Sequence, residues 1–251
     1  FRKPKQELSF LGQYSYTFDN SHYSSNQFSL TEQPLYRETS TNRSHNPQWT
    51  WQIDYIHPFS RNGQQVFEVG AKMVRRDVSS LYEVYTSQPD NVALLLLSTD
   101  RSNTFTYDQQ VAAGYASLKL VNRTFWTLQL GTRLENTTMS GQFKHSISPF
   151  RVQFTNFIPS IILSKQLTEQ QSVKLTYTQR ISRPMIWDLN PYINASDPKN
   201  LMAGNPQLRP ELAHLAEISY SLTTPKGAYL NLALYRRQTD NSIDDVRSVD
   251  T

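Results

Sequence analysis

The charged residues of this chain are spaced for a wet surface rather than for bond-making. Arg133 and Glu135 flank Leu134, and Asp54, Glu68, Lys72 and Lys174 each stand between two apolar residues. Arg180 keeps the parity of Lys174. In an extended strand, residues two apart share a face, so these groups can pair, hold water, or meet a charged solute. A second set lies around the connection 184–211: Arg183 at its start, then Trp187, Tyr192 and Asn205 within it. An aromatic pair of this kind can stack on a sugar, peptide or aromatic ligand, or pack inside its own loop.

Nothing comparable supports catalysis. The five histidines (22, 45, 57, 145 and 214) show no zinc-ligand spacing. There is no Gly-x-Ser-x-Gly elbow and no phosphate-cradling glycine loop, with only eight glycines in all. Cysteine is absent, which removes disulfides and thiolate metal sites. The expectation is therefore a non-enzyme with no cofactor and no metal. The net charge of +4 is spread over 251 residues without a basic block, so nucleic acid is not an expected partner.

The elements that must position these groups are strands. Leu8, Phe10, Gly12, Tyr14, Tyr16 and Phe18 alternate with Ser9, Gln13, Ser15 and Thr17. Trp49, Trp51, Ile53 and Tyr55 oppose Gln48, Thr50, Gln52 and Asp54. Phe67, Val69, Ala71 and Met73 oppose Glu68, Gly70 and Lys72. Similar alternation recurs around residues 126–135, 173–181, 216–222 and 229–235. A period of two predicts strands with one apolar and one polar face. The expected strands are 6–18, 48–58, 65–76, 105–120, 125–137, 154–167, 172–183, 212–224 and 228–238, about nine in all. Residues 105–120 change phase after Tyr115, which predicts a bulge, and Ile158 and Ile162 fall on the polar face.

The expected connections alternate in length. Those at 19–47, 77–104, 138–153 and 184–211 are long; those at 59–64, 121–124, 168–171 and 225–227 are short. In an up-and-down sheet the two kinds lie at opposite ends, as in outer-membrane barrels with short periplasmic turns and long extracellular loops. The apolar run Val92 to Leu97, inside one expected loop, would pack on neighbouring loops or on a partner. No stretch approaches the roughly 20 apolar residues of a spanning helix. The mean hydropathy of −0.58 still suits a barrel, because only half of each strand faces lipid. Phe59, Phe125, Trp126, Phe157 and Tyr177 stand near strand ends, where interfacial aromatic girdles form. The rival fold is a soluble antiparallel sandwich or barrel, which four long loops at one end disfavour.

From about residue 105 the motifs resemble the C-terminal half of TonB-dependent outer-membrane receptors, in the β-barrel family known mainly from Bacteroidota. The residues that carry this are Gly131-Thr132-Arg133-Leu134-Glu135, Phe157-Ile158-Pro159-Ser160, Tyr177 through Arg180-Ile181-Ser182-Arg183-Pro184, Leu189-Asn190-Pro191-Tyr192, and Gly204-Asn205-Pro206-Gln207-Leu208-Arg209-Pro210-Glu211. Residues 1–104 are compatible with the family but carry no sharp motif. The resemblance implies an all-β fold, an antiparallel up-and-down transmembrane β-barrel of which this chain is a part, the whole having 22 strands. It also implies a plug domain, a TonB box and energised uptake of a bulky ligand. No plug domain or signal peptide is legible in residues 1–251, and the start at Phe1 has neither an initiator Met nor an apolar core. The chain is expected to be an internal stretch of one barrel domain in the bacterial outer membrane.

On that reading Asp54, Glu68, Lys72, Arg133, Glu135, Lys174 and Arg180 face the lumen, forming a charge network or touching substrate. Arg183, Trp187, Tyr192 and Asn205 are candidate ligand contacts, with a rigid loop return the other reading of Asn205. The implied partners are outer-membrane lipid, the TonB complex through a plug outside this chain, an unidentified transported ligand, and a surface lipoprotein. The alternative function is an adhesin or assembly platform built on a bare barrel.

Overall fold

A computed structural model describes residues 5–60, 63–88, 90–144, 149–189 and 203–248. It contains ten strands: β1 Glu7–Phe28, β2 Pro34–Pro58, β3 Val66–Gln88, β4 Asn91–Leu97, β5 Asn103–Val121, β6 Trp126–Phe143, β7 Phe150–Thr168, β8 Gln171–Ser182, β9 Glu211–Thr223 and β10 Tyr229–Asp240. They form one antiparallel sheet in the order β1-β2-β3-β5-β6-β7-β8-β9-β10, with β4 hydrogen-bonded to the upper end of β3. The sheet is not closed; β1 and β10 are its edges among the described residues. A four-residue helix, α1 (Ile186–Leu189), lies between β8 and β9, and no described helix is long and apolar enough to cross a membrane.

The short connections are where the turn residues placed them. Gly63 and Gly227 take φ of 66° and 85°, the left-handed region that glycine enters without a Cβ clash. Three of the four long connections are corrected. Segment 19–47 is a hairpin: β1 and β2 stay paired from Asp19↔Ser44 to Gln27↔Tyr36 and turn at Ser29–Gln33. Segment 77–104 continues β3 and adds β4, so the run Val92 to Leu97 is a strand, with Tyr85↔Leu97 in register. Segment 138–153 mostly extends β6 and β7. The physical reason is common to all three. Alternation records a difference in environment between two faces, and above the apolar band the outer face turns polar as well. Backbone pairing continues there without that signature, in β-forming residues such as Thr39, Thr41, Tyr82 and Tyr85.

The bulge expected after Tyr115 is also absent. β5 pairs with β3 and with β6 in unbroken register. The phase change has another cause. Tyr107, Val111 and Ala113 sit on the polar face, yet are buried there beneath other side chains. Ile158 keeps its place on the polar face, directly across from Arg133.

Register fixes two faces across the whole sheet. One row runs Phe10, Ile53, Ala71, Gly114, Leu134 and Phe157. Another runs Leu163, Leu175, Ile218 and Leu234. This outer face is apolar and uncovered: Phe10 is 72% exposed and Leu234 is 74% exposed. Its upper limit is abrupt. Met73 is followed on the same face by Arg75, which pairs with Asp77 at 3.3 Å and Asp108 at 3.5 Å. Aromatics gather at that limit, with Tyr14 and Trp49 at 4.3 Å and Trp49 stacked on Trp51 at 5.8 Å. At the opposite limit the Lys165 ammonium lies 4.9 Å from the Trp126 ring.

Candidate functional site

The seven charged candidates on strands all lie on the polar face, and five of them converge. The connecting residue is Tyr115, which the sequence reading did not single out. Its ring crosses Gly70, its direct partner on β3, and its hydroxyl donates to Asp54 on β2. Only glycine permits this crossing: a Cβ on residue 70 would stand 2.5 Å from the Tyr115 ring and 2.6 Å from the Asp54 carboxylate. Gln52 donates to the other Asp54 oxygen at 2.8 Å. On the far side of the ring, the Arg133 guanidinium lies 5.7 Å from the Tyr115 centroid, within cation–π range.

Arg133 then bonds Glu135 along its own strand, at 2.8 Å through Nε and 2.7 Å through its terminal nitrogen. Glu135 is only 2% exposed, so its charge needs such partners. A second cation reaches it from outside the strands: Arg183, just past the end of β8, bonds Glu135 and, at 3.2 Å, the Thr137 hydroxyl. Burial, and after it the neighbouring Arg133 charge, hold the Arg183 pKa below its ordinary value. A continuous polar chain therefore runs from Gln52 on β2 to the connection after β8.

Beside this chain lies a hollow of about 350 Å³ lined by Glu68, Tyr115, Arg133, Ser160, Thr178 and Arg180, among others. Glu68 accepts from the Ser117 hydroxyl at 3.0 Å. Gly131 deepens the hollow, since a Cβ there would meet the Ser160 hydroxyl at 2.4 Å. Lys72 and Lys174 share the face but stand on rows away from this hollow, opposite Gln52 and Ser219 respectively. The arrangement can bind and orient charged groups. Among the described residues no group of three or more His, Asp or Glu is gathered as metal ligands would be.

The connection candidates divide. Trp187 is 74% exposed, while Leu189, two residues on, is fully buried. Tyr192, like Asn190 and Pro191, lies outside the described residues. Asn205 is engaged in its own loop: its Oδ1 accepts from the Gln207 amide at 2.9 Å, and its amide donates to the Asp188 carbonyl at 2.6 Å. Both bonds are local to the loop, the geometry an Asn-Pro turn uses. Above Glu135, Tyr107, Met139, Phe150 and Leu189 form an apolar cluster on the polar face. Its only sequence signal was the phase change in β5, which marks apolar residues on a face otherwise polar.

The chain matches the outer membrane protein beta-barrel family over residues 1–251. No curated protein sequence matches it. Among solved structures it is similar to the unliganded ferric citrate transporter FecA, with 15% identity and a TM-score of 0.58 over 98% of this chain and 36% of that one. It also aligns with the ferric yersiniabactin uptake receptor FyuA from Yersinia pestis, at 12% identity and a TM-score of 0.49, over 94% of this chain and 34% of that one. The chain thus spans about a third of the length of these two structures.

Proposed function

The chain belongs to the outer membrane protein beta-barrel family, and from that premise we propose that it is a wall segment of a TonB-dependent uptake receptor. The outer face is the lipid face, and the polar face lines the lumen. One observation carries this reading: an uncovered apolar band, ending sharply at Arg75, Asp77 and Asp108, backs onto a hydrogen-bonded charge network. A soluble sheet would bury its apolar face rather than its charges. In lipid, each unpaired backbone group at an edge costs several kcal/mol. The β1 and β10 edges are therefore met by further strands, which supports a larger closed barrel. Residues 1–251 form part of its one barrel domain, while the plug and its TonB contact belong to other parts of the polypeptide. The tall ends of β1 to β7 and the connection after β8 face the cell exterior, and the tight turns face the periplasm. A bulky solute would enter from the tall side, along Glu68, Arg133 and Arg180.

The test uses the native polypeptide, extracted from outer membranes in detergent. Its intact mass should be roughly two to three times the mass of this segment, as a 22-stranded barrel with a plug requires. Purified, it should bind the periplasmic domain of TonB. A mass near 29 kDa would end the reading. The larger mass without TonB binding would favour an adhesin or assembly platform on a bare barrel.

A further inference from the structure

A second hollow, of about 580 Å³, lies on the outer face immediately above the apolar band. Its lining follows the register. One rung runs Tyr16, Pro47, Asp77, Asp108, Ser140 and Arg151, from β1 to β7. The next rung up carries His45, Ser79, Thr106 and Gln142. The strands crossed, at a spacing of about 4.8 Å, make a trough about 24 Å long, and two rungs make it about 7 Å high. Short side chains form its floor: Pro47, Ser79, Thr106 and Ser140. Pro47 also interrupts the ladder, which is in register at His45↔Ser79 and again at Gln48↔Arg76 but not between. The rung below is bulky, with Tyr14, Trp49 and Arg75, and marks the limit of the band.

At the centre two carboxylates face each other. Asp77 and Asp108 are direct partners on β3 and β5, an opposition that like charges disfavour. Arg75 holds both, at 3.3 Å and 3.5 Å. One guanidinium does not exhaust two carboxylates, each of which has about four acceptor sites, and both are partly exposed. Around them Ser79, Thr106, Ser140 and Gln142 can donate and accept. At the β1 end exposed rings gather: the Tyr16 hydroxyl bonds the His45 ring, and Phe18 lies 5.1 Å from the same ring. Open acceptors, small hydroxyls and a ring face at one end suit a ligand rich in hydroxyl groups with C–H faces between them. Other classes fit poorly. The carboxylate pair repels phosphate, and the centre of the trough lacks apolar side chains for an acyl chain. That centre, on β3, β5 and β6, lies inside the sheet and offers no free strand edge to an extended peptide.

We propose that this trough binds a saccharide, and that the saccharide is the head of a glycolipid in the outer leaflet of the membrane. Asp77 and Asp108 accept from sugar hydroxyls, and Tyr16 covers a ring face at the β1 end. The position of the trough assigns the source. It begins one rung above Trp49 and Arg75, where acyl chains give way to headgroups. A glycolipid anchored against the band beneath presents its sugars at this height, at the high effective concentration that anchoring gives. The inference rests on the reading that the outer face is the lipid face.

The experiment uses the native full-length protein, purified in detergent, and two probes: lipopolysaccharide from the same outer membranes, and its saccharide freed of lipid by mild acid. Native mass spectrometry counts the glycolipid retained, and calorimetry measures binding of the free saccharide. The free saccharide should bind and should displace retained glycolipid. Asp108→Asn should weaken both by about tenfold, as expected for the loss of hydrogen bonds to a charged acceptor. Ser140→Trp, which fills the trough, should weaken both at least as much. Glu83→Gln neutralises a carboxylate on the same outer face above the trough and should leave both unchanged. Folding of each variant is checked by heat-modified gel mobility. Glycolipid retained equally by all three variants would overturn the site, since the band alone would then hold it, and so would the absence of binding by either probe. Free saccharide that binds in the trough while no glycolipid is retained would keep the saccharide site and overturn its membrane source. Failure of the lipid-face reading shows separately, as recovery of the folded protein in water without detergent.

Discussion

The two flanks of the sheet carry the same kind of outer band but end differently. β1, β2 and β3 run for 22, 25 and 23 residues; β8, β9 and β10 run for 12, 13 and 12. A bilayer crossing takes about 9–11 residues. The short flank therefore ends soon after its apolar band, with Arg236, Gln238 and Asp240 following Leu234 on the outer face of β10, and its connection folds back onto the polar face. The long flank continues upward as an arm, extended by β4. The arm and the band share backbone pairing in continuous register, so hydrogen bonding is not what distinguishes them. The outer face is. In the band it is Trp51, Ile53, Val69 and Met73; in the arm it is Arg75, Asp77, Ser79 and Glu83. The solvent on that face, not the fold of the strand, sets the sequence.

The sharpest way to break this comparison is to move one charge between the two regions. Ile218 sits mid-band on β9, 48% exposed between Leu175 and Leu234. Ile218→Lys should cost about 2–4 kcal/mol, the range for a cation at the membrane midplane. Ser79→Lys, on the outer face of the arm, should change stability by no more than about 0.5 kcal/mol. Both are read from urea unfolding of the intact protein in lipid vesicles. Equal costs would mean that the band is not in lipid.

The second comparison holds the region constant and changes the face. Gly12 and Gly70 both lie in the band. A Cβ on Gly12 would meet nothing within 4 Å, while one on Gly70 would strike Tyr115 and Asp54. Gly70→Ala should cost about 1–3 kcal/mol, the range for overpacking, and should detach the Tyr115 hydroxyl from Asp54. Gly12→Ala should be near neutral, within about 0.5 kcal/mol. A neutral Gly70→Ala would mean that Tyr115 has another rotamer at no cost, and the polar chain from β2 to β6 would lose its middle.

These contrasts also explain what could be read from the sequence. The band was legible because lipid on one side and charge on the other write a period of two into residues such as Leu230, Leu232 and Leu234. The fold class and the charged face followed from it. The arm was illegible for the converse reason: Thr41, Asn42, Arg43 and Ser44 are polar on both faces, so a paired strand reads as a loop. Arg133 and Glu135 could be placed by parity, two residues apart on one strand. The convergence of Asp54, Tyr115 and Arg183 on them could not. It depends on which strands are neighbours, on the open space over Gly70, and on a connection that returns across three strands.

The smallest effect asks whether arm and band unfold together. Arg101, in the bend between β4 and β5, ties the end of the arm to β2. It bonds Glu38 of β2 at 2.6 and 3.0 Å and the Tyr36 hydroxyl at 2.9 Å. Burial works against its charge, but the Glu38 bonds and field outweigh that and hold its pKa above the ordinary value. With the guanidinium 36% exposed, the pair is worth about 0.2–1 kcal/mol. Arg101→Gln should therefore leave the global unfolding midpoint almost where it was. Its effect should be local. The Val84 amide is bonded to the Ser102 hydroxyl next to Arg101, at 2.9 Å, and Ser98 bonds back to the Val84 carbonyl at 2.7 Å. Hydrogen exchange should quicken by a few-fold around Val84 and stay unchanged at Ile218, since the arm's pairing rests on few buried apolar contacts and opens below the global free energy. A drop in the midpoint as large as that of Ile218→Lys would show one cooperative unit, in which the arm braces the band rather than standing on it.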